Sequence, residues 1–199
     1  MTTEAQPAER FRLFIAVRIP EPVKDEIEKA QGALRDALRT NTVRWTTREQ
    51  FHLTLKFLGN VEAQRAGSLV EALRLACRGF TPLALRARGL GFFPERGFPR
   101  VVWAGAQDDK EQLPRLQRAI EETMRDFTTE AAERNFFGHV TLGRIKGIRR
   151  PESEALVQAA AGMAQRVFGE WTAGEVELIR SELSPAGAKY TSLAAAMLA

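Results

Sequence analysis

The chain holds two histidines in 199 residues, and both stand in the same four-residue phrase. H-L-T-L occupies residues 52–55 and H-V-T-L occupies residues 139–142, with the histidines 87 positions apart. On ordinary composition, two scarce histidines share Thr at +2 and Leu at +3 by accident about once in a hundred chains. Each phrase lies in a β-like run, residues 51–58 and 137–145. Side chains alternate faces along a strand, so His52 shares a face with Thr54 and His139 with Thr141. Leu53, Leu55, Val140 and Leu142 form the apolar backs. Each half of the chain must therefore build a similar strand, apolar behind and imidazole-plus-hydroxyl in front.

The segments around the two phrases fit a duplication. Residues 12–19 read as a strand that Pro20 stops, and Pro22 opens a helix in the first turn, where its missing N–H is harmless. Val23, Ile27, Ala30, Leu34 and Leu38 recur at helical spacing. Residues 43–45 are a short extended piece before the first His-Thr strand, which Gly59-Asn60 is expected to end. A second helix is expected over residues 62–77, with Ala66, Leu69, Val70, Leu73 and Cys77 inward and Gly79 as its stop. Strands at 83–93 and 100–106 make a hairpin, followed by a helix at 110–127 carrying Leu113, Leu116, Ile120, Met124 and Phe127. After the second His-Thr strand, a helix beginning at Pro151 carries Leu156, Val157, Ala160 and Val167. Two strands, 171–183 and 190–197, close the chain around a turn at 184–187. The order is β-α-β-α-β and then broadly the same again. It predicts an α+β, bilobal domain over residues 1–199, with mostly antiparallel sheets around a central cleft and residues 1–10 as a flexible tail. The two His-Thr strands are expected to face one another across that cleft.

Composition narrows the class of function. No apolar run approaches the ~20 residues of a membrane span, and the acidic start is not expected to act as a secretory signal. One cysteine, Cys77, excludes an internal disulfide and points to a reducing, cytoplasmic setting. No apolar stripe is left unpaired, so a monomer is expected. The net charge is only +4, but cations cluster about the motifs. Arg44, Arg48 and Lys56 flank the first, and Arg144, Lys146, Arg149 and Arg150 follow the second, which favours a phosphate-bearing ligand.

Two imidazoles on opposite sides of a cleft suit a reaction that needs a general base and a general acid near neutral pH. In-line displacement at phosphorus has that requirement. Thr54, Thr141 and a cation such as Arg144 would stabilise the equatorial oxygens. Arg144 lies five residues past His139, on the opposite face by strict alternation, and needs a bend, a bulge or a long reach to join the site. Two histidines and a cysteine are too few for a zinc site without carboxylates, and neither a phosphate loop nor a G-x-S-x-G elbow is present. Acid–base catalysis without metal or cofactor is the chemistry left.

The chain resembles the 2H phosphoesterases, in particular the LigT-like RNA 2′,3′-cyclic phosphodiesterases, also called 2′-5′ RNA ligases. The likeness rests on R-L-F-I-A-V at 12–17, H-L-T-L-K-F-L-G at 52–59, G-F-F-P at 91–94, R-V-V-W-A-G at 100–105, H-V-T-L-G-R at 139–144 and the ending through Tyr190. It implies a duplicated fold with both motifs lining the cleft, and opening of RNA-terminal 2′,3′-cyclic phosphate to a 2′-phosphomonoester without metal. His52 would be the proton donor and His139 the proton acceptor, with Thr54, Thr141 and Arg144 on the phosphate. The partners implied are RNA 3′ ends or small nucleotides bearing that cyclic phosphate. A base could stack on Phe57 or Tyr190; Trp45 is also a candidate but more readily core, as is Phe14. Ligation forming a 2′-5′ bond, the same chemistry reversed, and a non-catalytic nucleotide- or RNA-binding module are the alternatives. Gly138 stands where the family usually has proline, which is expected to loosen the local backbone.

Overall fold

The computed structural model describes residues 9–38, 41–133, 135–185 and 187–199. The tail expected at the N-terminus lies outside them up to residue 8. Among the described residues nine strands form one sheet, and every pairing in it is antiparallel. They are β1 (Arg10–Arg18), β2 (Val43–Trp45), β3 (His52–Glu62), β4 (Leu83–Phe93), β5 (Val101–Gln107), β6 (His139–Ile145), β7 (Val167–Ala173), β8 (Glu175–Ser184) and β9 (Gly187–Met197). The helices are α1 (Glu21–Asp36), α2 (Ala66–Cys77), α3 (Gln112–Thr123) and α4 (Arg150–Ala161).

The strand order is β7-β4-β5-β6-β3-β1-β8-β9, with β2 added on β6. The two His-Thr strands, β3 and β6, are therefore neighbours at the centre rather than walls facing across a gap. They meet at one residue pair, Leu53 with Val140, and diverge from it. On one side stand β3, β1, β8 and β9; on the other, β6, β5, β4 and β7. Only Gly174 separates β7 from β8 in the chain, yet these strands lie near opposite ends of the order. The sheet must curl strongly to bring those ends together, and the Leu198 N–H donates to the Gly174 carbonyl at 2.8 Å across that junction.

The core follows the expected patterning. Val23, Ile27, Ala30 and Leu34 of α1, Leu69, Leu73 and Cys77 of α2, and Leu113, Leu116 and Ile120 of α3 are all buried in one core cluster that also holds Leu53, Leu55, Val140 and Leu142. Several boundaries differ for physical reasons. Gly59 does not end β3; it adopts φ +67°, inside a bulge, and the strand runs on to Glu62. The helix expected from residue 110 starts at 112, because Glu111 takes a left-handed conformation at φ 54° that interrupts a helical path, while Asp108 accepts from the N–H groups of Lys110 and Leu113 at 2.9 and 2.8 Å. It gives way to a 3₁₀ turn at Arg125–Phe127. Val157 and Val167 are exposed rather than inward, and Val167 begins a strand. The closing strand read over 171–183 is two strands divided at Gly174, and part of the turn at 184–187 falls on residue 186, outside the described residues.

Candidate active site

The antiparallel register at the centre of the sheet sets the site. One step from the Leu53–Val140 pair along each strand places His52 beside Thr141 and Thr54 beside His139. The two phrases thus form a head-to-tail square with an approximate two-fold axis through that pair. The apolar members are fully buried, and the two histidines and two threonines are partly exposed on the other face.

Arg144 joins that face through a bulge. Val102 of β5 pairs with Gly143 and Trp103 with Thr141, so Leu142 is an extra residue and the alternation slips by one. His139, Thr141 and Arg144 then share a face. A Cβ on Gly143 would come within 2.8 Å of Val43 Cγ1 and 3.1 Å of a Trp45 ring carbon, so β2 can close on the bulge only over glycine. The first half repeats the device. Lys56 pairs with Ile15 and Thr54 with Ala16, leaving Leu55 extra and turning Phe57 to the side of His52 and Thr54. The +5 positions of the two motifs, Phe57 and Arg144, are therefore equivalent in space and different in chemistry.

A cavity of about 820 Å³ opens on this face. His52, Thr54, Thr141, Arg144, Phe57 and Tyr190 line it. Arg12 and Arg44 add two more guanidiniums, and among the described residues none of these three arginines is in an ion pair with a carboxylate. Among the described residues, Glu130 is the one carboxylate in its wall, beside Gly59. Three other cations expected near the ligand are engaged elsewhere. Arg48 is held by Glu21, Asp25 and Glu28, Arg150 pairs with Glu154, and Lys56 is buried against Glu121 at 2.6 Å. Arg12 was legible in principle, because alternation along residues 12–14 puts it on the face of Phe14. Asn60 and the β8–β9 hairpin residues in the wall had no local signal.

The histidines are not equivalent. His52 packs edge-on against Phe14 and Tyr190, with centroids 6.1 and 5.4 Å away. Phe14, 5% exposed, also meets Phe57 at 6.0 Å and Tyr190 at 4.9 Å, so it is the floor of an aromatic patch on which Phe57, 53% exposed, stands free. Trp45 is half-buried and contributes to the cavity wall as well as packing on the core. His139 lies beyond the cavity lining, against Phe93 at 5.1 Å. Its Nδ1 is 2.8 Å from the Phe137 carbonyl. A carbonyl only accepts, so Nδ1 carries the proton and Nε2 of the neutral ring keeps its lone pair. The corresponding backbone group beside His52 is that of Gln50, but no hydrogen bond of good geometry reaches the buried His52 Nδ1. Burial holds both imidazoles below the ordinary value of 6.5, partly offset by the carbonyls of Gln50 at His52 and Phe137 at His139. Burial also raises Tyr190, against the pull of Arg144 and Arg12.

Gly138 is held tightly instead of loosening the approach to His139. Its carbonyl accepts from the Ala106 N–H at 2.8 Å, and a Cβ there would lie 2.5 Å from the Ala106 oxygen. Cys77 is in the core, its thiol pushed up to about 11 by burial, far from nucleophilic use. Among the described residues no group of three or more His, Cys, Asp or Glu is arranged to hold a metal, and no helix is long and apolar enough to cross a membrane.

Comparison with known proteins agrees with the duplicated site. The profile of the family described as LigT like Phosphoesterase matches twice, over residues 17–103 and 105–190. A protein of Methanothermobacter thermautotrophicus named RNA 2′,3′-cyclic phosphodiesterase is 33% identical over 187 residues, covering 92% of this chain and 97% of its own length. The crystal structure of a Thermus thermophilus protein, TT0787, superimposes with a TM-score of 0.76 at 30% identity, covering 94% of this chain and 97% of that one. Escherichia coli LigT, solved with 3′-AMP, shares the fold at a TM-score of 0.73 and 23% identity, over 96% and 99% of the two chains. The chain belongs to the LigT-like phosphoesterase family.

Proposed function

We propose that the chain hydrolyses RNA-terminal 2′,3′-cyclic phosphate to a 2′-phosphomonoester, using His52 as general acid and His139 as general base. The observation that carries this reading is the square of His52, Thr141, Thr54 and His139 beside three arginines without a carboxylate partner among the described residues. Relatives at 31–33% identity over most of the chain carry the name RNA 2′,3′-cyclic phosphodiesterase, which supports the same substrate class. Only ribose has the 2′-hydroxyl that closes such a ring, so the substrate is RNA or a ribonucleotide.

The asymmetry of the site orients the substrate. Of the aromatic side chains lining the cavity, Phe14 and Tyr190 pack on His52 and Phe57 packs on Phe14, whereas Trp45 stands apart on β2, paired with Gly143 of β6. A terminal base stacked on Phe57 brings its ribose to His52, and the water must then arrive from the side of His139. His139 Nε2 takes a proton from water as the new P–O bond forms. The P–O3′ bond breaks, and His52 gives its proton to O3′. Thr54, Thr141 and Arg144 hold the remaining phosphate oxygens through the pentavalent stage. His52 is left neutral and His139 protonated, and exchange with solvent resets them.

The donor set supports a reaction with no metal, since its proton transfers are served by the two imidazoles. A defined oligonucleotide ending in 2′,3′-cyclic phosphate should give only the 2′-phosphate, at an undiminished rate in excess EDTA. A 3′-phosphate product would reverse the orientation, and loss of turnover on chelation would remove the metal-free mechanism.

The pH dependence has a definite sign. His52 must start protonated and His139 neutral, while burial lowers both in the free enzyme. The kcat/KM profile should therefore peak on the acid side of 6.5, the ordinary histidine value, and fall as pH rises. A bound phosphodiester anion favours the imidazolium beside it. The alkaline limb of kcat should then lie at higher pH than that of kcat/KM; coincident limbs would argue against contact between His52 and the anion.

A further inference from the structure

Two glutamines are buried in mid-helix, each 3% exposed: Gln31 on α1 and Gln117 on α3. A buried polar side chain on an apolar helix face needs partners, and theirs are alike. The Gln31 amide donates to the carbonyl of Leu142 at 2.9 Å and to that of Thr46 at 2.8 Å. The Gln117 amide donates to the carbonyl of Leu55 at 3.4 Å and to Glu121 Oε1 at 3.1 Å. Leu142 and Leu55 are the extra residues of the two bulges. The Leu142 carbonyl also accepts from the Thr46 N–H at 2.9 Å, so β2, the bulge and α1 are tied at one point. The connection crosses the repeat. Gln31 precedes the first motif but holds the bulge of the second, and Gln117 precedes the second motif but holds the bulge of the first.

We infer that Gln31 and Gln117 are positioning residues, each fixing through its bulge the side chain at +5 of the motif it touches. Gln31 sets Arg144, at the phosphate, and Gln117 sets Phe57, under the base. The inference rests on the reading of the cleft as a cyclic-phosphate site. Its physical basis is the slip in alternation: without the extra residue held in place, Arg144 or Phe57 returns toward the buried face. In each half a helix amide reaches the carbonyl of the bulge. The different chemistry at +5 makes the two glutamines serve different ends of one substrate.

Double-mutant kinetics on an oligonucleotide 2′,3′-cyclic phosphate test this. Gln31→Met should raise KM roughly tenfold, in line with a lost buried hydrogen bond, and should do so in the Phe57→Ala background as well. In the Arg144→Ala background the same change should add almost nothing. Gln117→Met should show the mirror pattern, with its effect absorbed by Phe57→Ala and retained with Arg144→Ala. A general loss of stability would multiply the effects in both backgrounds, and that result overturns the inference. So does an unchanged KM in both single variants. If Gln31→Met or Gln117→Met fails to fold, Gln31→Asn and Gln117→Asn, whose amides stop one methylene short, carry the same comparison. Wild-type protein that leaves the substrate intact refutes the proposed function itself, which is a separate outcome from any pattern among the variants.

Discussion

Replacing His52 or His139 by alanine should lower kcat on a cyclic-phosphate oligonucleotide by about 10²–10⁴-fold, the usual contribution of a positioned acid or base. The two losses should not multiply. The acid and the base serve one displacement, and removing either leaves the other little to do. Arg144, Arg12 and Arg44 remain in both variants, so KM should change far less than kcat. Activity near wild type in either variant would sink the assignment. The same variants should also change acid stability. Both folded-state pKa values lie below 6.5, so between that value and the folded pKa the unfolded chain binds more protons than the folded one. Wild-type stability is then full above 6.5 and declines as pH falls through it. Each alanine variant lacks one such group, and its Tm relative to wild type should rise as pH falls. A difference independent of pH would contradict the lowered pKa values.

The histidines, their threonines and the apolar backs were legible in the sequence because they obey the two-residue period of a strand with no interruption. Arg144 and Phe57 were legible only as candidates. Their side of the sheet depends on Leu142 and Leu55 being extra residues, and a bulge is defined by the partner strand. That Arg144 needed a bend, a bulge or a long reach followed from its spacing; that Phe57 depends on a bulge did not. The cations divide for a similar reason. Lys56 and Arg144 both stand a few residues past a motif histidine, yet one is buried against α3 and the other faces the cavity. Carboxylates distant in the chain, Glu121 for Lys56 and Glu21 and Asp25 for Arg48, decide this, and local pattern carries no trace of them. The side-by-side arrangement of β3 and β6 was hidden too. The repeat announces two similar strands, but which edges pair is a matter of contacts between the halves, among them those of Gln31 with Leu142 and of Gln117 with Leu55, and local pattern carries no trace of these.

The largest stability effect should come from Lys56, not from the site. Its ammonium lies 2.6 Å from Glu121 Oε2, with the two side chains only 3% and 11% exposed. Glu121 Oε1 accepts from the Gln117 amide at 3.1 Å and from the Glu133 N–H at 3.2 Å, so the carboxylate is well satisfied as long as its counter-ion is present. Lys56→Met removes the charge partner and leaves a carboxylate in a region water hardly reaches, at a cost of about 3–5 kcal/mol. Glu121→Leu strands the ammonium at a similar cost. For a chain of this length each kcal/mol moves Tm by about 2–4 °C, so either variant should melt roughly 6–20 °C lower. The double variant Lys56→Met/Glu121→Leu removes both desolvated charges and should recover most of the loss, because a buried pair and its apolar replacement are often nearly equal in free energy. Thermal unfolding of the three variants at one pH and salt concentration checks this. Additive losses in the double variant, or single variants as stable as wild type, would show that the pair is not desolvated. Lys56 is also the bulge residue that follows Leu55 and precedes Phe57, so the single variants should weaken substrate binding on the base side while kcat, set by His52 and His139, changes less.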